Sequence, residues 1–172
     1  MRSPVCLSRP SPLVAYAAFA LAALSSGTAS AEPTVAIAGF DYSDTSGEIA
    51  SQASNHETRL ALLSATVLEE LGKERIPAMS VTCGNPPCSA GAMGMEDLLA
   101  AAKNQGSKYL VYGGIHKMST LIQWVKIEMV DLAAGKVIAS QLLSLRGDTE
   151  EAYRRAGRFV SKMVVQSRLQ TP

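Results

Sequence analysis

Apolar and polar positions alternate most clearly in the segment LIQWVKIEMVDL, at residues 121–132. Val125, Ile127 and Met129 share one face of the strand that this pattern predicts, and Lys126 and Glu128 share the other. Shorter runs rich in β-branched and aromatic residues predict four further strands, at 34–40, 76–82, 108–118 and 137–146. The pattern therefore predicts a sheet of five strands.

Helical spacing separates these strands at three places. Leu60, Leu63, Val67 and Leu71 recur at intervals of three or four residues and predict a first helix. A second helix is expected from Met95, and a third after a cap at Asp148 or Thr149. The order is then β-α-β-α-β-β-β-α, in which two crossovers predict parallel pairing and two tight turns an antiparallel meander. The predicted fold class is α/β (α+β), a mixed five-stranded sheet with three helices.

The first 31 residues are typical of a secretory signal. Arg2 and Arg9 precede an apolar run at 13–24, and small residues ending in Ala29-Ser30-Ala31 follow. The run is too short to span a bilayer, so cleavage is expected to leave one α/β domain at 32–172 with no transmembrane segment. This predicts a periplasmic location.

The formal net charge of the chain bears on whether nucleic acid is a partner. The segment 1–31 carries two of the 16 Lys and Arg and none of the 15 Asp and Glu, so its removal changes the formal net charge from +1 to −1. Phosphate neutralisation requires a basic excess, so nucleic acid is not expected as a partner.

Cys83 and Cys88 remain in the mature chain, separated by the turn-forming Gly84-Asn85-Pro86-Pro87. A lone pair in an oxidising compartment predicts a disulfide. A redox pair is disfavoured by the four-residue spacer, and a zinc site by the lack of further ligands.

Three motifs resemble the exported bacterial family known as domain of unknown function 2380. They are the turn Lys117-Met118-Ser119-Thr120-Leu121-Ile122, the hairpin Asp131–Lys136 and the helix start Arg146–Arg155. More distantly, VAIAGFDYSDTSGE at 35–48 is similar to the opening strand of the TolB amino-terminal domain, of curli-secretion-type modules and of an outer-membrane activator of a penicillin-binding protein. Those resemblances imply an interaction module.

Ligands in open α/β sheets bind beyond the carboxyl ends of the parallel strands. The predicted topology therefore places five side chains at one rim, as a candidate ligand site: Asp41, Asp44, His56, His116 and Lys117. Neither a calcium loop nor another metal motif is recognisable there, so no metal or cofactor is predicted. Ser43 or Ser119 with His116 is the nearest approach to a catalytic pair, but no hydrolase motif supports it. No enzymatic activity is expected.

A candidate interface surrounds the turn between the third and fourth strands, at Ile122, Trp124, Ser119 and Thr120. Trp124 shares its strand face with Lys126, and two arrangements are open: a helix partly buries that face, or the face is exposed as an apolar patch. The preferred hypothesis is a non-enzymatic periplasmic accessory module that recognises another envelope protein. The alternative is a protein that binds a small ligand or metal at the rim.

Overall fold

A computed structural model of the chain describes residues 34–48, 53–85, 87–119 and 121–170. The predicted signal segment and Thr120 lie outside these ranges. The elements in chain order are β1 (Val35–Asp44), α1 (Ala53–Lys73), β2 (Ala78–Ser80), α2 (Ala90–Met93), α3 (Met95–Asn104), β3 (Tyr109–Lys117), β4 (Ile122–Asp131), β5 (Lys136–Arg146) and α4 (Glu150–Gln170).

The five strands form one mixed sheet in the order β2-β1-β3-β4-β5. β1 pairs in parallel with β2 and β3, and β3, β4 and β5 form an antiparallel meander. The predicted fold class, strand number and pairing directions are confirmed. The structure adds α2, a single-turn helix that the sequence pattern did not predict, because four residues are too few to show a period.

Strand β1 is longer than predicted and carries an irregularity. Its register against β3 shifts between Ile37 and Phe40, so two residues of β1, Ala38 and Gly39, stand opposite one of β3. Beyond such a bulge, each side chain of the strand lies on the opposite face of the sheet from the one that simple alternation would give. Phe40, Tyr42 and Asp44 consequently continue the face that Val35 and Ile37 begin.

Helices α1 and α4 cover one face of the sheet, which we call the helical face. Its core contains alternate residues of the strands, among them Val111, Val125 and Ile127, packed on Leu63 and Val160. Gly157 of α4 lies so close to α1 that an added Cβ would come within 2.8 Å of the Thr66 side chain. Small size at this position therefore sets the distance between the two helices.

The opposite face is covered only in part. Leu98 and Ala102 of α3 pack on Ala36, Ala38 and Leu110, which lie toward the amino-terminal ends of the parallel strands. Strand β4 alternates between exposed and buried side chains from Ile122 to Ile127, and most of β5 is exposed. We call the uncovered part, formed by β3, β4 and β5, the open face.

Two further observations concern the packing at Gly113 and the character of the helices. An added Cβ on Gly113 would come within 2.2 Å of the Lys126 carbonyl oxygen, so the backbones of β3 and β4 approach closely at this glycine. Within the ranges given above, none of the helices combines the length and apolar composition needed to cross a bilayer.

Candidate functional site

The sheet divides the five predicted rim residues between its two faces. Asp44, His56 and Lys117 lie on the helical face, where they contact one another or a shared partner. Asp41 and His116 lie on the other face, beside Gly114 and Trp124 in the strand register. The division follows from strand alternation, because His116 and Lys117 are adjacent within β3. A single rim site that uses all five side chains is thus not formed, and ligand binding by either group stays a prediction.

Lys117 is the centre of a buried ionic cluster on the helical face. Its side chain is 1% exposed, and its ammonium group lies 2.6 Å from Glu48, 3.1 Å from Asp148 and 3.8 Å from Asp44. Glu48 belongs to the segment after β1, Asp148 lies two residues before α4, and Asp44 ends β1. One lysine therefore ties three separate parts of the chain to the end of β3.

The protonation states in the cluster are set by opposing effects. Burial alone would lower the pKa of Lys117, but hydrogen bonds to Glu48 and Asp148 outweigh it and hold that pKa above its ordinary value. Burial would likewise raise the pKa of Asp148. The hydrogen bond from Lys117 and the nearby Arg59 charge outweigh it, so the pKa of Asp148 lies below its ordinary range. The lysine and this aspartate are charged at neutral pH.

Helix α1 contributes Arg59 and His56 to the same cluster. Arg59 Nη1 lies 2.6 Å from Asp148 Oδ1, and His56 Nε2 lies 3.4 Å from Asp148 Oδ2. The Tyr42 hydroxyl is 3.2 Å from His56 Nε2, and the two rings are also in contact. Burial is the main cause that raises the pKa of the Tyr42 hydroxyl, which keeps it neutral.

A second buried polar pair adjoins the cluster. The Gln123 side chain is fully buried, accepts a hydrogen bond from the Tyr153 hydroxyl at 3.0 Å and donates to the Gly147 carbonyl at 3.3 Å. Of the two predicted caps, Thr149 performs that role by accepting from the Ala152 N–H, which leaves Asp148 free to bind the cations. The start of α4 is therefore fixed by side chains from β3, β4 and α1.

The chemistry of this cluster is internal neutralisation. Its carboxylates face cations of the same domain and connect β1, β3, α1 and α4, so that removal of one charge would leave its partners uncompensated. In the part of the chain that the structure describes, no group of three or more His, Cys, Asp or Glu side chains has the arrangement of a metal site.

Sequence reasoning did not place Glu48, Arg59 and Asp148 in a cluster with Lys117. A signal for them was present, because Lys117 follows Gly113 and Ile115 at intervals of two and therefore occupies a core-facing position of its strand. A lysine at such a position requires acidic partners.

On the other face, Asp41 and His116 have neutral partners. The Asp41 carboxylate accepts from the Ser89 hydroxyl at 2.6 Å and from the Gly91 N–H at 2.9 Å, and so anchors the start of α2. The His116 ring lies 2.7 Å from the Ser43 hydroxyl and 3.2 Å from the Thr45 hydroxyl. The serine–histidine pair thus forms, but a hydroxyl occupies the place at which a catalytic triad has a carboxylate.

Trp124 lies on the open face, which decides between the two arrangements that the sequence left open. Trp124 is 38% exposed, and its neighbours Ile122 and Leu142 are 46% and 60% exposed. A shallow depression of about 310 Å³ lies beside it, lined by Trp124, Leu142, His116, Gly114, Lys126 and Asp41, with Ser43, Tyr42 and Ile115 completing the wall. Ser119 stabilises the adjoining turn by accepting from the N–H of Ile122 at 3.2 Å.

A polar strip borders this apolar patch on β3, β4 and β5. The Tyr112 hydroxyl donates to Glu128, and Lys126 donates to Ser140 at 2.6 Å. Burial and the neighbouring Glu128 raise the pKa of Tyr112 to about 12, while the tyrosine hydrogen bond lowers the pKa of Glu128. An apolar centre beside a hydrogen-bonded polar margin is the usual composition of a protein interface.

The predicted disulfide is present between Cys83 and Cys88. It closes a small ring next to the bulge in β1, where the Cys88 carbonyl accepts from the Gly39 N–H at 2.9 Å. The disulfide ring therefore supplies a backbone hydrogen-bond partner for Gly39, which lies beyond the residues of β1 that pair with β2.

Comparison with known proteins identifies a family and a shared fold. The model of the family described as "Protein of unknown function (DUF2380)" matches residues 33–164, and the chain therefore belongs to that family, as its motifs indicated. No curated protein matches the chain significantly.

Two solved structures share the fold. TolB from Acinetobacter baumannii is 18% identical, with a TM-score of 0.50; the match covers 82% of this chain but only 29% of TolB. The PelC dodecamer from Paraburkholderia phytofirmans is 12% identical, with a TM-score of 0.50, over 79% of this chain and 87% of PelC. The predicted likeness to TolB is confirmed for the fold, and the likeness to curli-secretion-type modules stays a prediction.

Proposed function

We propose that this protein is a non-enzymatic module of the bacterial cell envelope, exported to the periplasm, that binds another envelope protein through its open face. The observation that carries the proposal is Trp124, which is the single tryptophan of the sequence and lies half-exposed beside Ile122 and Leu142. Tryptophan is among the residues most enriched where interfaces hold their binding energy.

The surroundings of Trp124 suit a protein partner better than a small molecule. The depression beside it is wide and shallow, whereas small-ligand sites enclose most of the ligand. The shared fold adds support, since PelC, which has this fold, forms a dodecamer. That assembly shows that the architecture can present a surface to a protein, and it leaves the partner of this chain to experiment.

A photo-crosslinking residue at position 142, introduced in the source cell, tests the interface. We expect one specific protein adduct, identified by mass spectrometry, that is lost when Trp124→Ala is added. The matched control carries the crosslinker at Lys162, an exposed position of α4. Equal adduct patterns at the two positions, or an adduct that survives Trp124→Ala, would contradict the proposal.

Fluorescence provides an independent measurement. In the free protein the emission of Trp124 should be red-shifted and quenched by acrylamide, and binding of the recovered partner should shield it. Export is tested by cell fractionation and by sequencing the mature amino terminus, which we expect at Glu32.

A further inference from the structure

Among the described residues, one edge of β1 has no strand partner in the second half of the strand. β2 pairs with it only through Val35, Ala36 and Ile37, although β1 continues to Asp44. Just beyond the end of β2, the Val81 N–H donates to the Ile37 carbonyl and the Gly39 N–H donates to the Cys88 carbonyl, both at 2.9 Å. Within the described ranges, no further backbone hydrogen bond reaches this edge from Phe40 to Asp44.

The direction of the remaining backbone groups follows from the pairing with β3. The Thr45 N–H donates to the Lys117 carbonyl at 2.9 Å, so Thr45 faces β3. In a parallel pair, the backbone N–H and C=O groups of every second residue point to the neighbouring strand, and those of the residues between point away from it. The backbone groups of Phe40, Tyr42 and Asp44 therefore point away from β3, to the opposite side of β1. That side is the unpaired edge.

A groove runs along this edge, and we call it the β1 groove. It consists of two adjoining cavities, of about 640 Å³ and about 340 Å³, that share Gly39, Ser64 and Pro87. One wall is α1, with Leu60 and Ala61, and the other is the segment of the disulfide and α2. The walls leave room for one extended chain and prevent the edge-to-edge stacking of whole sheets that free strands invite.

The charge of the β1 groove points to the kind of chain that fits. Asp41 and Glu57 lie in its lining, and none of the residues that line the two cavities is Lys, Arg or His. The two carboxylates are on different walls, because Glu57 belongs to α1 and Asp41 anchors α2. An inserted strand with all its basic side chains on one side would therefore meet a carboxylate whichever wall that side faces.

We propose that the β1 groove binds an extended segment of a partner protein, with alternating apolar and basic side chains, which adds to β1 as a further strand. Main-chain hydrogen bonds to Phe40, Tyr42 and Asp44 would give affinity, and the two walls would select side chains. The groove follows β1 from Ile37 to Tyr42. Because the edge at Ile37 is paired with β2 and Gly39 bonds to Cys88, the free edge is Phe40–Asp44. At about 3.3 Å per residue, it accommodates about five residues of the segment, roughly 17 Å. The site uses neither Trp124 nor Leu142, although Asp41 and Tyr42 line both the β1 groove and the depression beside Trp124.

The probe is a fluorescein-labelled ten-residue peptide of alternating Val and Lys, measured by fluorescence anisotropy on the folded protein. The counterpart peptides alternate Val with Glu, or carry N-methyl groups on every second residue. We expect the lysine peptide to bind in the micromolar range, and each counterpart to bind at least about tenfold more weakly, a change of roughly 1.4 kcal/mol. Hydrogen exchange should show new protection at Phe40, Tyr42 and Asp44.

Two matched pairs of variants locate the binding. Ala61→Arg fills the groove and should abolish binding, whereas Ala65→Arg, one turn further along α1 and outside the lining, should not. Glu57→Lys should weaken binding more than Glu74→Lys, an equal change of charge at an exposed position outside the groove. Absence of binding by the lysine peptide at 1 mM, equal affinity for the glutamate peptide, or equal effects within a pair would overturn the proposal. Crosslinking at position 142 is unaffected by these variants, so the two proposals fail separately.

Discussion

Replacement of Lys117 by methionine removes the central cation of the buried cluster while nearly preserving the volume of the side chain. The ammonium group lies within 4 Å of three carboxylates, and its side chain is 1% exposed. We expect this variant to lose more stability than any exposed charge change in the domain, because it removes the charge that balances Glu48 and Asp44.

The size of the effect follows from what remains in the cluster. Breaking a buried ion pair by removal of one partner costs about 3–5 kcal/mol. Asp148 retains Arg59 at 2.6 Å, and Asp44 is 32% exposed, so neither is left in a wholly apolar environment. We therefore expect about 3 kcal/mol, equivalent to a fall in Tm of roughly 10 °C in a domain of this size.

Urea unfolding followed by circular dichroism measures the free energy of unfolding of Lys117→Met against the parent. The control, Lys126→Met, removes an exposed lysine that lies 3.2 Å from Glu128 and should cost less than about 1 kcal/mol. Adding Glu48→Gln to Lys117→Met should recover part of the loss, since the two residues are in contact. A loss in Lys117→Met no larger than that in Lys126→Met would refute the view that the cluster holds the domain together.

Three further predictions concern the framework. The pKa of Asp148 in the folded state lies below its ordinary 3.8. The Asp148 carboxylate therefore contributes fully to stability above pH 3.8, and this contribution is lost as the pH falls through the folded-state pKa. When the free energy of unfolding is measured at decreasing pH, Asp148→Asn should lose less stability than the parent. The double variant Cys83→Ser, Cys88→Ser should lose about 2 kcal/mol in urea unfolding, the chain-entropy value for so small a ring, and no loss would refute a stabilising role. Gly113→Ala should cost about 3 kcal/mol or prevent folding because its Cβ meets backbone of β4, whereas Gly72→Ala, with nothing within 4 Å, should be neutral or stabilising; equal thermal midpoints would contradict this.

The pattern of the sequence predicted the sheet because its information is local. Alternation along β4 assigned Val125 and Ile127 to the buried face and Trp124 to the other, as the structure shows. The disulfide was predicted from the lone cysteine pair and the predicted oxidising compartment, and the structure contains it. These features depend on neighbouring residues or on a pair that is close in the chain, and they required no knowledge of how distant elements pack.

The candidate site depended on contacts that the pattern does not contain. β1 was expected to end at Phe40, and its continuation to Asp44 places Asp41 and Asp44 on opposite faces of the sheet. Apolar alternation could not reveal this extension, because the added residues are polar and serve the cluster and the turn. Whether a helix covers Trp124 likewise depends on the short α3, which reaches only the first parallel strands.

The adjacency of His116 and Lys117 links the buried cluster to the proposed interface. Lys117 holds the end of β3 through its ion pairs on the helical face. His116, one residue earlier, lies opposite Trp124 in the register of β3 and β4. Because neighbouring residues of a strand share one backbone, loosening at Lys117 reaches the edge of the open face. Binding surfaces that are rigid before association lose less entropy when they bind. We therefore infer that the cluster, although it lies on the helical face, preorganises the open face. The loss of stability in Lys117→Met should consequently be accompanied by increased acrylamide quenching of Trp124 in the folded state.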